Sequence, residues 1–356
     1  MTPSRITLNA SESLAGSGPD SQIVISSRVR LARNLEGKPF PDWAKKPERI
    51  ILMEAIKAAV EALPEMTNAF SERLENLTIL EKQVLVERHL ISCEHAAKSV
   101  GSAVVMNAAQ TLSFMINEED HLRMQAIRSG LQLHETFAMI AQADRRLEEH
   151  LVFSFDAKIG YLTACPSNVG TGMRASVMMH LPALVLSEQI NKIINSVNKM
   201  SLAVRGLHGE GTDAIGNLFQ ISNQTTLGKQ EEEILEQLNT IIREILHHEQ
   251  NARALLLERE PETLLDQAGR AHGILQNAYS ISTKEALNLL STVKLGIDLQ
   301  LFPVLFRPVI DELLIETQPA HLQKGAQLTK ISSKERDSLR ARMIRTKLME
   351  MPAPRL

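Results

Sequence analysis

Cysteine is scarce in this chain. Cys93 and Cys165 are the two present in 356 residues, 72 positions apart. That excludes a disulfide framework or a Cys-rich metal site and fits a reducing, cytoplasmic compartment. Aromatic residues make up 3%, too few for a base-stacking surface. The net charge of −3 leaves no basic footprint for nucleic acid. Long apolar runs are missing. The longest, Val177 to Leu186, is interrupted by His180 and Pro182 and is too short to span a bilayer. The opening segment MTPSRITLNASESLAGSGPDSQ lacks the apolar stretch of a secretory signal. There is no GK[ST] P-loop, no GxGxxG fingerprint and no HRD catalytic loop, so the commonest nucleotide-binding classes are removed. What remains is an ordinary globular composition, 44% hydrophobic and 23% charged, with apolar material for one large core or two modest ones.

Residues 1–21 are rich in Ser, Gly and Asn and read as a flexible N-terminus. Ile23–Ile25 reads as a short strand leading into SSRVRLARN. Pro47 opens a helical pattern through Val60. From Leu77 to Ile116, LTILEKQVLVERHLIS, SAVVMNAAQ and TLSFMI read as adjacent antiparallel strands. A helix is expected over about 131–150, and a hairpin turning at Asp156–Gly160. A further helix is expected within 175–199, limited by Pro182. Strands follow at Leu202–Arg205 and LFQISN. From Lys229 the apolar spacing becomes helical and stays so. These signals place a boundary at 257/258, between an α+β domain over 22–257 and an all-helical domain over 258–356.

Four segments concentrate arginine, carboxylate and glycine. In SSRVRLARN, Arg28 and Arg30 share one strand face and suit a polyphosphate. Taken alone, a charged strand edge explains them as well. In Asn117–Arg123, Glu118, Glu119 and Asp120 form a carboxylate cluster that binds cations, serves as acid/base groups or is an exposed acidic turn. In CPSNVGTGMRAS, a glycine-containing loop is expected to enter a helix with Arg174 in its first turn, where an anion is favoured. Cys165 there is either reactive or a small buried hydrophobe. In RGLHGEGTD, three glycines make a loop able to close over a ligand, or a plain hairpin connection.

Together and in this order, the four segments resemble the catalytic domain of the phosphagen (guanido) kinases over about residues 22–250. The resemblance implies an antiparallel sheet flanked by helices, with ATP held by arginines and Mg²⁺ held mainly by the nucleotide phosphates rather than by a protein metal site. It assigns nucleotide contacts to Ser26, Ser27, Arg28, Val29 and Arg30, to His89 and Arg123, to Arg174, Ala175, Ser176, Val177 and Met178, and to Arg205, Gly206, Leu207, His208, Gly209 and Glu210. It implies Glu119 as the base, with Glu118 beside it. Glu210, Asp213 and the Cys165 thiolate would hold the target guanidinium. His208 stands where small-molecule members commonly carry arginine. Asp213 stands where the loop usually ends in Glu, one methylene longer.

Small-molecule members carry a helical domain ahead of the SSR-like segment. Here 25 residues precede Ser26, and helical sequence follows the core instead. That layout resembles the bacterial protein-arginine kinases. Arg336-Asp337-Ser338-Leu339-Arg340-Ala341 matches their RDxxRA motif, so Arg336, Asp337, Arg340 and Ala341 would bind phosphoarginine. Arg336 and Arg340, one helical turn apart, could grip one phosphate. The resemblance implies phosphoarginine regulation, a mark for protein degradation in stress response and protein quality control, and a homodimer. It also implies a zinc-binding activator and an ATP-dependent unfoldase-protease as partners. Two rivals remain open: a kinase of free arginine or another small guanidine, and an inactive adaptor that reads phosphoarginine.

Overall fold

The computed structural model describes residues 16–206, 214–328 and 331–356. Its centre is an eight-stranded antiparallel sheet in the order β2-β3-β4-β5-β1-β8-β10-β9. The strands are β1 (Val24–Arg33), β2 (Phe70–Arg73), β3 (Ala103–Met106), β4 (Leu112–Ile116), β5 (Leu122–Ser129), β8 (Met173–His180), β9 (Leu202–Gly206) and β10 (Leu218–Asn223). A separate two-stranded hairpin joins β6 (Phe155–Asp156) to β7 (Gly160–Tyr161). The helices are α1 (Lys46–Glu61), α2 (Ile79–Glu87), α3 (Cys93–Ala97), α4 (Leu133–Glu148), α5 (Pro182–Leu186), α6 (Ile190–Lys199) and α7 (Glu231–Arg259). They continue with α8 (Pro261–Asn277), α9 (Thr283–Asp298), α10 (Arg307–Glu316), α11 (Pro319–Gly325) and α12 (Ser333–Leu348). Pro261 separates α7 from α8 because it cannot continue the preceding helix.

The chain gathers into two compact units. One takes in 26–177 and 222–239; the other takes in the described residues of 14–25, 178–221 and 240–356. In the first, Val29, Leu31, Phe114, Met124 and Ile140 are buried in the core. In the second, Leu264, Leu275, Leu290, Val293, Ile310, Ile344 and Leu348 from α8, α9, α10 and α12 form one apolar cluster. That unit also buries charge. Arg253 joins Glu249 at 2.8 Å and Asp298 at 3.0 Å, while Lys294 pairs with Asp311.

Two expectations fail here. The segment LTILEKQVLVERHLIS holds the helix α2 and ends on Ser92, the N-cap of α3, and is not strand. Thr78 closes a capping box with Glu81: Glu81 N donates to Thr78 Oγ1 at 3.2 Å, and Thr78 N donates to Glu81 Oε2 at 2.9 Å. MRASVMMH is not a helix start but β8, a central strand. Helix resumes only at Pro182.

Candidate active site

β1 sets the site. Arg28, Arg30 and Ala32 alternate with Val29, Leu31 and Arg33, so the two sets point to opposite faces. β5 pairs Arg123 with Ala32 and Gln125 with Arg30, adding Arg123 and Gln125 to the first face. On the other side of β1, Ala32 N donates to Gly172 O at 2.9 Å, and Arg28 Nε donates to Ser176 Oγ at 3.3 Å. That puts Arg174 and Ser176 on the same face, and Arg174 Nη2 donates to Ser222 Oγ at 3.4 Å.

Four guanidinium groups therefore converge. Burial, then repulsion from Arg174 and Arg123, pulls Arg28 down to about 10. Arg30 is lowered well below its ordinary value by burial and then by Arg28, Arg123 and Arg174, with Glu118 opposing. Arg30 Nε is buried and has no hydrogen-bond partner among the described residues. Positive charge held this closely needs an anion, and several phosphates in a row would meet several forks. Arg33 behaves differently. Its guanidinium donates to Asp144 of α4 at 2.6 Å, to Ala32 O and Thr171 O at 3.0 Å, and lies 3.4 Å from the Tyr161 ring centroid. It pins elements together on the opposite face.

The acidic turn lies between β4 and β5, and its three carboxylates occupy different environments. Glu118 is buried and accepts from Ser92 Oγ at 2.6 Å and Arg123 Nη1 at 2.7 Å. Asp120 is buried and accepts from Asn34 Nδ2 and Ala164 N, both at 2.7 Å. Burial raises its pKa. The Ala164 bond fastens the turn to the segment carrying Cys165. Glu119 is the carboxylate left accessible: its side chain is 41% exposed and accepts from Arg123 Nη2 at 3.1 Å. Burial raises its pKa, Arg123 opposes that, and Asp120 and Glu118 add to the rise. A half-exposed carboxylate with a raised pKa beside a cationic pocket is equipped to take a proton.

His89 follows α2 with φ 58°, and its carbonyl accepts from Gln125 Nε2 at 2.6 Å. That ties residue 89 to the strand position next to Arg30. Cys165 is partly exposed, with Sγ 2.9 Å from Ser167 Oγ.

The sequence model of the family described as ATP:guanido phosphotransferase, C-terminal catalytic domain, matches residues 52–252. The one described as protein-arginine kinase McsB C-terminal domain matches residues 261–356. The protein-arginine kinase of Symbiobacterium thermophilum is 46% identical over 340 residues, 94% of this chain and 96% of that protein. The protein-arginine kinase of Halothermothrix orenii is 46% identical, over 96% of this chain and 98% of that protein. The chain belongs to the protein-arginine kinases. Among solved structures, lombricine kinase superposes with a TM-score of 0.58 at 27% identity, over 68% of this chain and 71% of that one. The duplicated taurocyamine kinase from Schistosoma mansoni, with bound transition-state-analog components, gives 0.60 at 27% identity, over 66% of this chain and 34% of that one. The fold is thus that of the phosphagen kinases, and the enzyme is an ATP-dependent kinase of arginine.

In this protein-arginine kinase the strand β8 changes the electrostatics expected around Arg174. Met173–Ser176 lie within the strand and do not begin a helix. Cys165 precedes a three-residue 3-10 turn, Pro166–Asn168, rather than an α-helix. Ala175 and Val177 are buried on the face opposite the arginines, and Ala175 N donates to Asn223 Oδ1 at 2.8 Å. Ser27 and Val29 are likewise turned away, with Ser27 Oγ donating to Gly130 O at 2.8 Å. Ser26 shares the Arg28 side of β1, and Met178 the Arg174 side of β8. Arg205 is exposed at the end of β9, next to Gly206. Leu207, His208, Gly209, Glu210 and Asp213 lie outside the described residues. Composition and spacing gave no sign of Asn34, Ser92, Gln125 or Ser222, single polar residues that hold the charged ones in place.

The RDxxRA helix also departs from a simple two-fork grip. Arg340 is buried and donates to Thr317 O and Ile281 O at 2.7 Å and to Asp337 Oδ1 at 2.6 Å. Arg336 is half-buried and donates to Ser333 Oγ at 3.2 Å. Ala341 is fully buried in the helical cluster.

Proposed function

We propose that Glu119 is the general base of arginine phosphorylation and that Arg28, Arg30, Arg123 and Arg174 hold the phosphates of ATP. One observation carries this reading: four convergent guanidinium groups border a turn whose one accessible carboxylate is Glu119. A guanidinium is protonated at neutral pH and cannot attack. Glu119 accepts a proton from the target nitrogen as its lone pair turns to the γ-phosphorus; the N–P bond forms, the bond to the bridging oxygen breaks, and ADP leaves with its charge on the arginines. Glu118, bonded to both Ser92 and Arg123, holds Arg123 in place. The orphaned Arg30 Nε fits a phosphate oxygen. Mg²⁺ carried on those phosphates would neutralise further charge. The roles of Arg205, His208, Glu210, Asp213 and the Cys165 thiolate rest on the family resemblance alone.

The finer biology rests on the same resemblance. We assign phosphoarginine recognition to Arg336 with Asp337, on a helix that Arg340 holds in position, in a domain beginning near residue 258. Regulation by phosphoarginine, marking of proteins for degradation, the zinc-binding activator, the unfoldase-protease, homodimerisation and cytoplasmic location follow as family expectations. The direct test is mass spectrometry for acid-labile phosphoarginine on a protein incubated with Mg-ATP and the enzyme. Glu119→Gln should retain ATP binding and lose on the order of 10²-fold or more in transfer rate. Near-normal transfer with ATP bound would exclude Glu119 as the base.

A further inference from the structure

The loop that joins β1 to α1 holds the sole tryptophan of the chain, Trp43, and leaves it 80% exposed. The loop itself is held by several bonds. Trp43 N and Ala44 N both donate to Phe40 O at 2.9 Å, Ala44 is buried, and Asp42 pairs with Lys98 at 2.7 Å. Phe40 meets the Trp43 ring edge-on, with centroids 6.0 Å apart. A tryptophan held this far out, braced by a second aromatic, is costly surface for a monomer and is the side chain most often used as an anchor for a partner.

Its location supplies the partner. His121 stands two residues after Glu119, and both of its ring nitrogens are spent on this loop. Nδ1 accepts from Leu35 N at 3.1 Å, and Nε2 donates to Pro39 O at 3.0 Å. Burial lowers the His121 pKa, which keeps the ring in the neutral form that both bonds require. Asn34 completes the join, donating to Asp120 at 2.7 Å and accepting from His121 N at 2.9 Å. The aromatic loop and the acidic turn are therefore fastened to each other by side-chain bonds. The acceptor of this reaction is an arginine within a polypeptide, so chain must continue from the guanidinium over the surface next to the turn. The loop that carries Phe40 and Trp43 is the one these bonds fasten to the turn.

We propose that Trp43, braced by Phe40, is the docking platform for the polypeptide segment flanking the target arginine, and thereby a determinant of preference for protein over free arginine. The proposal builds on Glu119 as the reacting end of the site. An extended segment laid on the indole would cover the exposed ring and bury its own apolar side chains and planar peptide groups against it.

Because Trp43 is the one indole in the chain, its fluorescence reports on the platform directly. Titrating the enzyme with a nine-residue peptide containing one central arginine, without ATP, should shift or quench the emission saturably. The same response is expected in Glu119→Gln, so failure of the base assignment and failure of the platform are read separately. Trp43→Ala should raise the peptide KM roughly tenfold with kcat little changed. It should leave unchanged the inhibition constant of blocked single arginine (N-acetyl-arginine methylamide). Trp43→Phe should recover part of the peptide KM. Emission unchanged at saturating peptide, an unchanged peptide KM in Trp43→Ala, or equal losses for peptide and blocked arginine would each overturn the proposal.

Discussion

Arg123 is bonded to both Glu118 and Glu119, and it is the cation that restrains the rise in the Glu119 pKa. Removing a neighbouring positive charge destabilises a carboxylate anion and raises its pKa. The acid limb of kcat/KM should thus lie above the ordinary glutamate value of about 4.3. It should move to still higher pH in Arg123→Gln, although that variant is also slow. Limbs that coincide in pH–rate profiles at saturating ATP would show that Arg123 does not tune the base. Arg30 gives a second test. It lacks a partner for its buried Nε among the described residues, so its charge serves a ligand rather than the fold. Arg30→Ala should weaken ATP binding by about 1.5–3 kcal/mol. That corresponds to roughly 10- to 150-fold in Kd, with no comparable loss of stability. Calorimetry showing unchanged affinity would remove Arg30 from the clamp.

The elements that carry these residues were unequally legible. The arginines of β1 and the acidic turn stood out because a hydrophobic core does not call for charge at strand spacing. β8 was misread because its apolar residues continue into α5, and a short apolar run does not distinguish strand from helix. α2 was misread although Thr78 and Glu81 spell its capping box; the β-branched and apolar density of the segment outweighed two residues. No sequence pattern showed how the loop before β8 meets β1. Gly172 has φ +65°, and a Cβ there would lie 2.6 Å from Arg33 Nη1 and 2.7 Å from Ala32 O. Gly172→Ala should cost about 1–3 kcal/mol through the strained backbone alone. It should also displace Arg33 from Thr171 O and Asp144. Denaturant midpoints check the first effect. A midpoint equal to wild type would mean that the loop yields without strain.

Across the molecule, buried titratable groups set how the fold answers to pH and to loss of charge. His95 is buried, its Nε2 lies 3.0 Å from Ala103 O, and burial pushes its pKa down to about 3. The unfolded chain binds that proton near pH 6.5 and the folded chain does not. The stability it gives is therefore present above 6.5 and lost as pH falls toward 3, at up to about 1.4 kcal/mol per pH unit. His95→Gln should show a correspondingly flatter decline between pH 6.5 and 5 in urea unfolding; parallel curves would refute this. Arg340 is the corresponding case for charge in the helical cluster. Its guanidinium reaches the loop before α9 through Ile281 O and the end of α10 through Thr317 O, while Asp337 balances it within α12. Deleting it leaves two carbonyls and a carboxylate without their donor, a loss of about 3 kcal/mol or more for a buried charged group. The side chain of Arg336 bonds to Ser333 within its own helix. The two arginines of the motif should therefore separate in experiment. Arg340→Ala should lower the unfolding midpoint strongly, and any loss of phosphoarginine response in it would be secondary to that. Arg336→Ala should unfold like wild type and still lose phosphoarginine binding by calorimetry. Equal stability loss in both variants would contradict the structural part of this division, and full phosphoarginine affinity in Arg336→Ala would leave that helix face without a ligand.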